Sequence, residues 1–216
     1  MNINTHFQMG ERSPQMKSKV IKEVRPLMET EFGLGVAHSA SGIAEMRFRE
    51  LCRANSQDPK PVRKQTVFNL YPCIGLYEGL QQAGVKPQTA LQFLDRVWSL
   101  RAVKKARSIQ KMLKIPGLYK LMPRIFKKVT LGQFGEAAGF YANFYDLGSS
   151  RCKFDMIRCL YCDLCQKYGC PELGPCFCHT DDVTSGHMHD KLLWNRTKTM
   201  GEGGDVCDFD LLIQEK

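Results

Sequence analysis

The chain has 216 residues, of which 43% are hydrophobic and 25% charged, and its formal net charge is +9. This length fits one large domain or two small ones, and it can bury a core without disulfide bonds. No run of about 18 apolar residues occurs, so no membrane-spanning helix is expected.

The charge is distributed unevenly along the chain. Residues 1–134 hold 23 Lys and Arg against 9 Asp and Glu, whereas residues 135–216 hold 8 against 13. Two regions of opposite charge can attract each other, and the basic region can also bind an anionic partner. The N-terminus lacks the basic and then apolar pattern of a secretory signal, so a cytoplasmic location is expected. Thiols stay reduced in that compartment, which makes the cysteines packing residues, metal ligands or nucleophiles.

Residues 1–134 are predicted to form a helical region after a loose tail over residues 1–14. Apolar side chains recur there at the spacing of an α-helix. Pro26 is expected to kink its helix or to start a separate short one, and Pro72 is expected to interrupt or kink another, because proline has no N–H to donate. A loop is predicted over residues 55–61. The predicted helices cover residues 17–32, a segment beginning near Ser41, and residues 67–83, 87–113 and 118–128.

Residues 135–216 are predicted to form a Cys-rich α+β region that carries the functional site. Residues 140–156 indicate a β-hairpin, since Cys152, Phe154 and Met156 alternate with polar residues after a turn. A helix over about residues 160–168 follows. Two strands, over residues 191–200 and 207–214, are joined by a glycine turn. The predicted fold class is therefore α+β, with the helical N-terminal region packed on a small C-terminal antiparallel sheet as one compact unit.

Seven of the ten cysteines lie between residues 159 and 209. Cys159, Cys162 and Cys165 have the first spacings of the iron–sulfur pattern C-x2-C-x2-C-x3-C-P, but Cys170 comes one residue too late. On a helix the first three lie roughly along one face, where they can also be small packing residues. An iron–sulfur cluster is thus one alternative for this segment.

Zinc is a second possible cofactor. Six side chains are competent zinc ligands, although their spacings match no recognised zinc signature: Cys176, Cys178, His179, Asp181, His187 and His189. His187 and His189 can both ligate from a loop, or they can be solvated loop residues. The sequence therefore commits no residue to a metal.

Residues 196–199 read Arg-Thr-Lys-Thr and precede a glycine-rich turn. Alternation along a strand places Arg196 and Lys198 on one face and Thr197 and Thr199 on the other. An arginine beside such a turn suits a small carboxylate, which it can hold through two parallel hydrogen bonds. The alternative is a surface strand with an exposed Arg196.

Several short motifs occur together in the C-terminal third of the chain. They are Arg158-Cys159, the Gly-Cys-Pro-Glu-Leu run at residues 169–173, Cys178 followed by Asp181, and residues 196–199 and 204–209. Together they resemble the L-2-amino-thiazoline-4-carboxylic acid hydrolase family over about residues 140–214. The resemblance implies hydrolytic opening of a cysteine-derived 2-aminothiazoline to a carbamoyl-cysteine, with no cofactor required. Cys162, Cys165 and Cys176 are additional to the pattern.

Opening such a ring requires a nucleophile at the amidine-like carbon C2 and a proton for the leaving group. We predict Cys178 as the nucleophile, since a thiolate attacks well near neutral pH when its pKa is lowered. Asp181 or His179 would move protons, and Cys207 would face the same pocket. In a second route Asp181 activates a water molecule and Cys178 only shapes the pocket.

Substrate binding is assigned to three residues of the same segment. Arg196 would hold the substrate carboxylate, and Thr197 or Thr199 would contact the amidine nitrogens if the strand is irregular. These predictions require folding to bring Cys178, Asp181, Arg196 and Cys207 into one cavity walled by the closing strands. Two alternatives stay open: a metal or iron–sulfur protein, and a non-catalytic module that binds a small acid.

The basic stretch at residues 101–128 interleaves Lys and Arg with apolar residues. Such a segment can lie on an anionic membrane surface or follow a phosphate backbone. It can equally be a solvated helix face. No nucleic-acid fold signature accompanies it, so no nucleic-acid partner is expected.

Overall fold

The computed structural model describes residues 16–214, and the predicted α+β class is confirmed there. The predicted tail over residues 1–14 lies outside these residues. The α-helices are α1 (Lys19–Phe32), α2 (Leu34–Ala54), α3 (Lys60–Gln65), α4 (Tyr71–Gln82), α5 (Pro87–Leu113), α6 (Met122–Gln133), α7 (Leu160–Lys167) and α8 (Gly174–Ser185). The strands are β1 (Tyr141–Phe144), β2 (Arg151–Arg158), β3 (Leu192–Asn195) and β4 (Cys207–Ile213).

The first two helices follow each other at Gly33. Ser18 caps α1, because its hydroxyl accepts a hydrogen bond from the Ile21 N–H at 3.4 Å. Pro26 lies inside α1 without ending it. Gly33 has a φ of 83° and breaks the helix there, so α2 begins at Leu34 rather than near Ser41 as predicted.

The next segment is more helical than predicted. The loop expected over residues 55–61 is shortened by α3, which begins at Lys60. A π-helical turn over Thr66–Leu70 then leads into α4. The interruption predicted at Pro72 occurs as this change of helix type, because Pro72 has no N–H for the regular ladder. Phe68 and Asn69 of this π-helical turn line a cavity that residues of α5, α6 and α8 also line.

The long helix α5 has the predicted bounds, and the helix after it is displaced. Leu118–Leu121 form a 3₁₀ turn, and α6 begins at Met122 instead of Leu118. Pro123 lies in the first turn of α6, where its missing N–H costs nothing. Most Lys and Arg side chains between residues 101 and 128 are exposed. The membrane contact suggested for this stretch stays a prediction.

The sheet is antiparallel and its strand order is β1-β2-β4-β3. The predicted hairpin is confirmed as β1 paired with β2. The predicted strand over residues 191–200 is too long, because β3 ends at Asn195. The helix α8 was not predicted at all.

Two hydrophobic clusters position α8 and the sheet relative to the other helices. The larger one joins Trp98 of α5 to Cys176 and Phe177 of α8, so the helical and Cys-rich regions share a core. The second covers one face of the sheet with Phe154 and Phe209. None of the helices between residues 16 and 214 is long and apolar enough to cross a lipid bilayer.

Candidate active site

The four residues expected to share a cavity do so. Cys178 and Asp181 lie three residues apart on α8, which places them on one side of the helix. Arg196 directly follows β3, and Cys207 is the first residue of β4. All four line a cavity of about 810 Å³ between α5, α6, α8 and the sheet.

Arg196 is held rigidly beneath Cys178. Its side chain is 2% exposed, and its Nη2 donates hydrogen bonds to the Cys178 carbonyl oxygen at 2.8 Å and to the Asp182 carboxylate. The guanidinium lies over the Phe209 ring, 5.4 Å from its centroid. Its Nη1 has no hydrogen-bond partner among residues 16–214 and lies 3.5 Å from the Asp181 Oδ2. A buried charged donor without a hydrogen bond is costly, and the Asp181 carboxylate is the ion-pair partner of Nη1.

Cys178 is set up to carry a thiolate. A hydrogen bond from the Cys207 thiol is the largest of the effects that lower the pKa of Cys178 to about 6 against the opposing effect of burial. The Thr199 hydroxyl, the Arg196 charge and the Gly201 backbone N–H act in the same direction. The pKa of Cys207 is raised well above its usual range, chiefly by this hydrogen bond to Cys178. The two pKa values belong to the pair of thiols, and the Arg196 charge and the Gly201 N–H favour the thiolate on Cys178.

The pKa of Asp181 is raised, whereas the pKa of Cys178 is lowered. Its side chain is 48% exposed, but it faces the cavity inside the fold rather than bulk solvent. Burial is the main reason that the pKa of Asp181 rises to about 7, with the Cys178 charge adding to it and Arg196 opposing it. Near neutral pH the site therefore combines a thiolate with a carboxyl group that can give or take a proton.

The glycine turn closes over the Cys178 sulfur. Thr199 caps the 3₁₀ turn Met200–Glu202, and its hydroxyl accepts from the Glu202 N–H at 3.2 Å. A Cβ atom on Gly201 would lie 2.8 Å from the Cys178 Sγ and 2.9 Å from the Gly174 carbonyl carbon. Only glycine lets the turn approach the thiolate this closely.

We expect Gly201→Ala to damage both the fold and the site. The added methyl group must push the turn away from Cys178, which should lower the free energy of unfolding by about 1–3 kcal/mol. It should also raise the pKa of Cys178, because the Gly201 N–H moves away. Gly132→Ala in α6 is the matched control, since its Cβ would meet nothing within 4 Å. Denaturant unfolding and thiol alkylation against pH measure the two effects, and equal results for both variants would contradict the expectation.

The residues after β3 do not alternate as predicted. Thr199 and the side chain of Arg196 are buried, whereas Thr197 and Lys198 face solvent. Asp208 causes the irregularity by accepting hydrogen bonds from the backbone N–H groups of Thr197 and Lys198 at 2.9 and 2.8 Å. Thr197 also donates its hydroxyl to Asp208. The cavity lining includes neither Thr197 nor Thr199, so the predicted substrate contacts gain no support, although Thr199 contacts the Cys178 sulfur.

His179 points away from the cavity. Its Nδ1 lies 2.7 Å from Asp95 of α5, and its Nε2 lies 3.5 Å from Glu202. Burial lowers the pKa of His179, but these two carboxylates outweigh it and raise the pKa above its usual value. The residue thus joins α8 to α5 and the glycine turn. Of the two predicted proton carriers, only Asp181 is in the cavity.

The candidate metal ligands are dispersed. No three His, Cys, Asp or Glu side chains between residues 16 and 214 are grouped so as to hold a metal ion. His189 stacks on Tyr119 with the ring centroids 4.8 Å apart, and His187 lies on the exposed surface. The candidate cysteines are free thiols, of which Cys165, Cys170 and Cys176 are buried packing residues and Cys159 and Cys162 are half-buried.

Sequence reasoning missed Asp182. Its Oδ2 accepts from Arg196, and its Oδ1 accepts from the Trp194 Nε1 at 2.9 Å. It therefore positions the arginine without lining the cavity. The sequence shows two adjacent aspartates, but only the helix direction decides that Asp181 faces the cavity and Asp182 faces the sheet.

Comparison with known proteins identifies a family for most of the chain. A model of the L-2-amino-thiazoline-4-carboxylic acid hydrolase family matches residues 65–211, which include the whole cavity end formed by Cys178, Asp181, Arg196 and Cys207. Neither a curated protein nor a solved structure matches the chain. The family match covers more than half of the sequence, so the chain belongs to the L-2-amino-thiazoline-4-carboxylic acid hydrolase family.

Proposed function

We propose that the chain hydrolyses a cyclic amidine or amide that carries a carboxylate, of the 2-aminothiazoline-4-carboxylate type. One observation carries the proposal: a thiolate at Cys178, a carboxyl group at Asp181 and the Arg196 guanidinium meet in one cavity. These are the nucleophile, the proton carrier and the carboxylate-binding group that ring opening requires. Family membership supports the same reaction class.

In the first step the Cys178 sulfur attacks C2 of the ring. The bond between C2 and the ring sulfur breaks, and the sulfur leaves with the electron pair. Protonated Asp181 gives its proton to this sulfur, which becomes the free thiol of the opened substrate. Arg196 holds the substrate through its carboxylate, so that C2 stays within reach of Cys178.

In the second step a water molecule releases the enzyme. The Asp181 carboxylate takes a proton from the water, whose oxygen attacks C2. The bond between C2 and Cys178 breaks, and the thiolate leaves with the electron pair. The remaining hydroxyl proton passes to the ring-derived nitrogen, which completes a carbamoyl group. The net change is the addition of one water molecule, and Cys178 and Asp181 return to their starting protonation states.

The pH profile separates this route from direct attack by an Asp181-activated water. The thiolate route requires ionised Cys178 and protonated Asp181. We therefore expect kcat/KM to rise as the pH passes about 6 and to fall again above about 7. Direct attack by water requires ionised Asp181, so kcat/KM would instead rise through about 7 and stay high. The two apparent values belong to the interacting pair of groups.

The decisive experiment is an assay on 2-aminothiazoline-4-carboxylate with chain purified without oxygen. We expect mass spectrometry to detect a product that has gained one water molecule, and acid quenching to trap the opened substrate on the peptide that contains Cys178. Asp181→Asn should slow the release of this adduct. Binding without any product would support a non-catalytic module instead, and turnover that follows the metal content of the preparation would support the metal alternative.

A further inference from the structure

The cavity is much larger than the ring acid. Its volume is about 810 Å³. A 2-aminothiazoline acid with about nine non-hydrogen atoms fills at most about 270 Å³, even if each atom takes the roughly 30 Å³ of a water molecule in the liquid. About two thirds of the cavity would therefore stay unused by a substrate of that size.

The unused part is apolar. Its walls include Trp98, Phe126, Phe154 and Phe209, which are buried or half-buried side chains of α5, α6 and the sheet. Polar side chains such as Asn69 and Gln133 also line the cavity, but apolar atoms make up most of its surface. Burying hydrocarbon there is favourable, because each methylene that leaves water strengthens binding about three- to fourfold.

The cavity has an open end and a closed end. Phe68, Met112 and Val129 line it and are 59%, 41% and 40% exposed, so they mark the mouth. Cys178 and Cys207 are only 8% and 5% exposed and lie at the closed end. A ligand that extends from Cys178 to the mouth therefore passes along the aromatic walls.

We propose that the substrate is an amphiphile, with its amidine or amide head at Cys178 and an apolar tail of roughly a dozen carbons along the aromatic walls. The remaining volume of about 540 Å³ accommodates up to about 18 carbon atoms at the same allowance of roughly 30 Å³ each. Lys64 and Lys105 line the cavity and are exposed, so the entrance attracts an anionic amphiphile. The identity of the head group rests on the proposed function, whereas the tail rests on the shape and lining of the cavity.

The test uses butanoate, octanoate and dodecanoate as probes of tail length. Titration calorimetry on the unaltered chain should show affinity rising about tenfold for every two methylenes. Dodecanoate should also compete with 2-aminothiazoline-4-carboxylate in the ring-opening assay. Equal affinity for all three acids, or ring opening that is unchanged at saturating dodecanoate, would overturn the proposal.

Two variants of α5 locate the binding site. Ala102 lines the cavity, whereas Ala106, one turn further along, does not. Ala102→Leu should weaken dodecanoate binding about tenfold and leave butanoate binding unchanged, because the larger side chain narrows the cavity. Ala106→Leu should affect neither acid. Equal losses of dodecanoate binding in both variants would overturn the location, and the series on the unaltered chain depends on neither variant.

The outcomes also separate this inference from the proposed reaction. Ring opening together with equal affinities for the three acids would contradict the proposed tail but not the proposed reaction. Affinities that rise with tail length, without ring opening, would contradict the proposed reaction but not the apolar ligand site.

Discussion

Replacing Cys178 with alanine is expected to lower kcat/KM for ring opening by about 10⁴-fold or more, which is the usual cost of removing a catalytic nucleophile. The fold should survive, because the change removes one sulfur atom from a side chain that already lines an open cavity. The measurement is steady-state turnover of 2-aminothiazoline-4-carboxylate together with the thermal midpoint of each variant. Mass spectrometry should no longer find the opened substrate attached to the protein.

Cys176→Ala is the matched control for this substitution. Cys176 lies two residues earlier on α8 and is also buried, but it is not part of the cavity lining. Its loss should leave kcat/KM close to that of the unaltered chain. If Cys178→Ala keeps more than about one hundredth of the activity, covalent catalysis is wrong and the Asp181-activated water becomes the better mechanism.

Arg196→Met should weaken both the fold and catalysis. The substitution removes hydrogen bonds to the Cys178 carbonyl and to Asp182. Since the Asp182 side chain is 45% exposed and can hydrate, we expect a loss of about 2–3 kcal/mol in the free energy of unfolding. For a chain of this size that corresponds to a fall of about 5–10 °C in Tm. The substrate carboxylate also loses its partner, so KM should rise.

The pH profile of Arg196→Met gives a second readout. The Arg196 charge helps to lower the pKa of Cys178, so its removal should shift the acid limb of kcat/KM to higher pH. If Arg196 had only a structural role, the acid limb of kcat/KM would stay at the same pH. Arg151→Met is the control, because Arg151 makes a two-bond ion pair with Asp210 on the sheet but does not line the cavity. It should lose some stability and keep both the pH profile and KM.

Local patterns were sufficient for much of the scaffold. The helix α5 has its predicted bounds because Pro87 starts it and its apolar residues keep one 3.6-residue period. The hairpin of β1 and β2 follows from the alternation of Cys152, Phe154 and Met156, whose side chains are buried on one face of β2. These signals act between near neighbours in the chain, so they can be read without knowing the fold.

The helix α8, which carries Cys178, has no such local pattern in its sequence. The segment of α8 consists largely of residues with middling or poor helix propensity, including Cys, His, Thr and Asp. Its helical form depends on tertiary packing, for example of Phe177 against Trp98 of α5, with centroids 6.2 Å apart. Distant residues make that contact, so no pattern within the segment could predict it.

By itself, the sequence determined the chemistry available to the site: Cys178, Asp181, Arg196 and Cys207 were identified from residue types and the family resemblance. Only the tertiary structure decided how those residues are used. It turned His179 towards Asp95, moved Thr197 to the surface through Asp208, and buried Arg196 against Asp182 and Phe209. Each of these outcomes depends on burial and on a partner distant in the chain or on another element, and burial and charge together set the pKa values on which the proposed reaction depends.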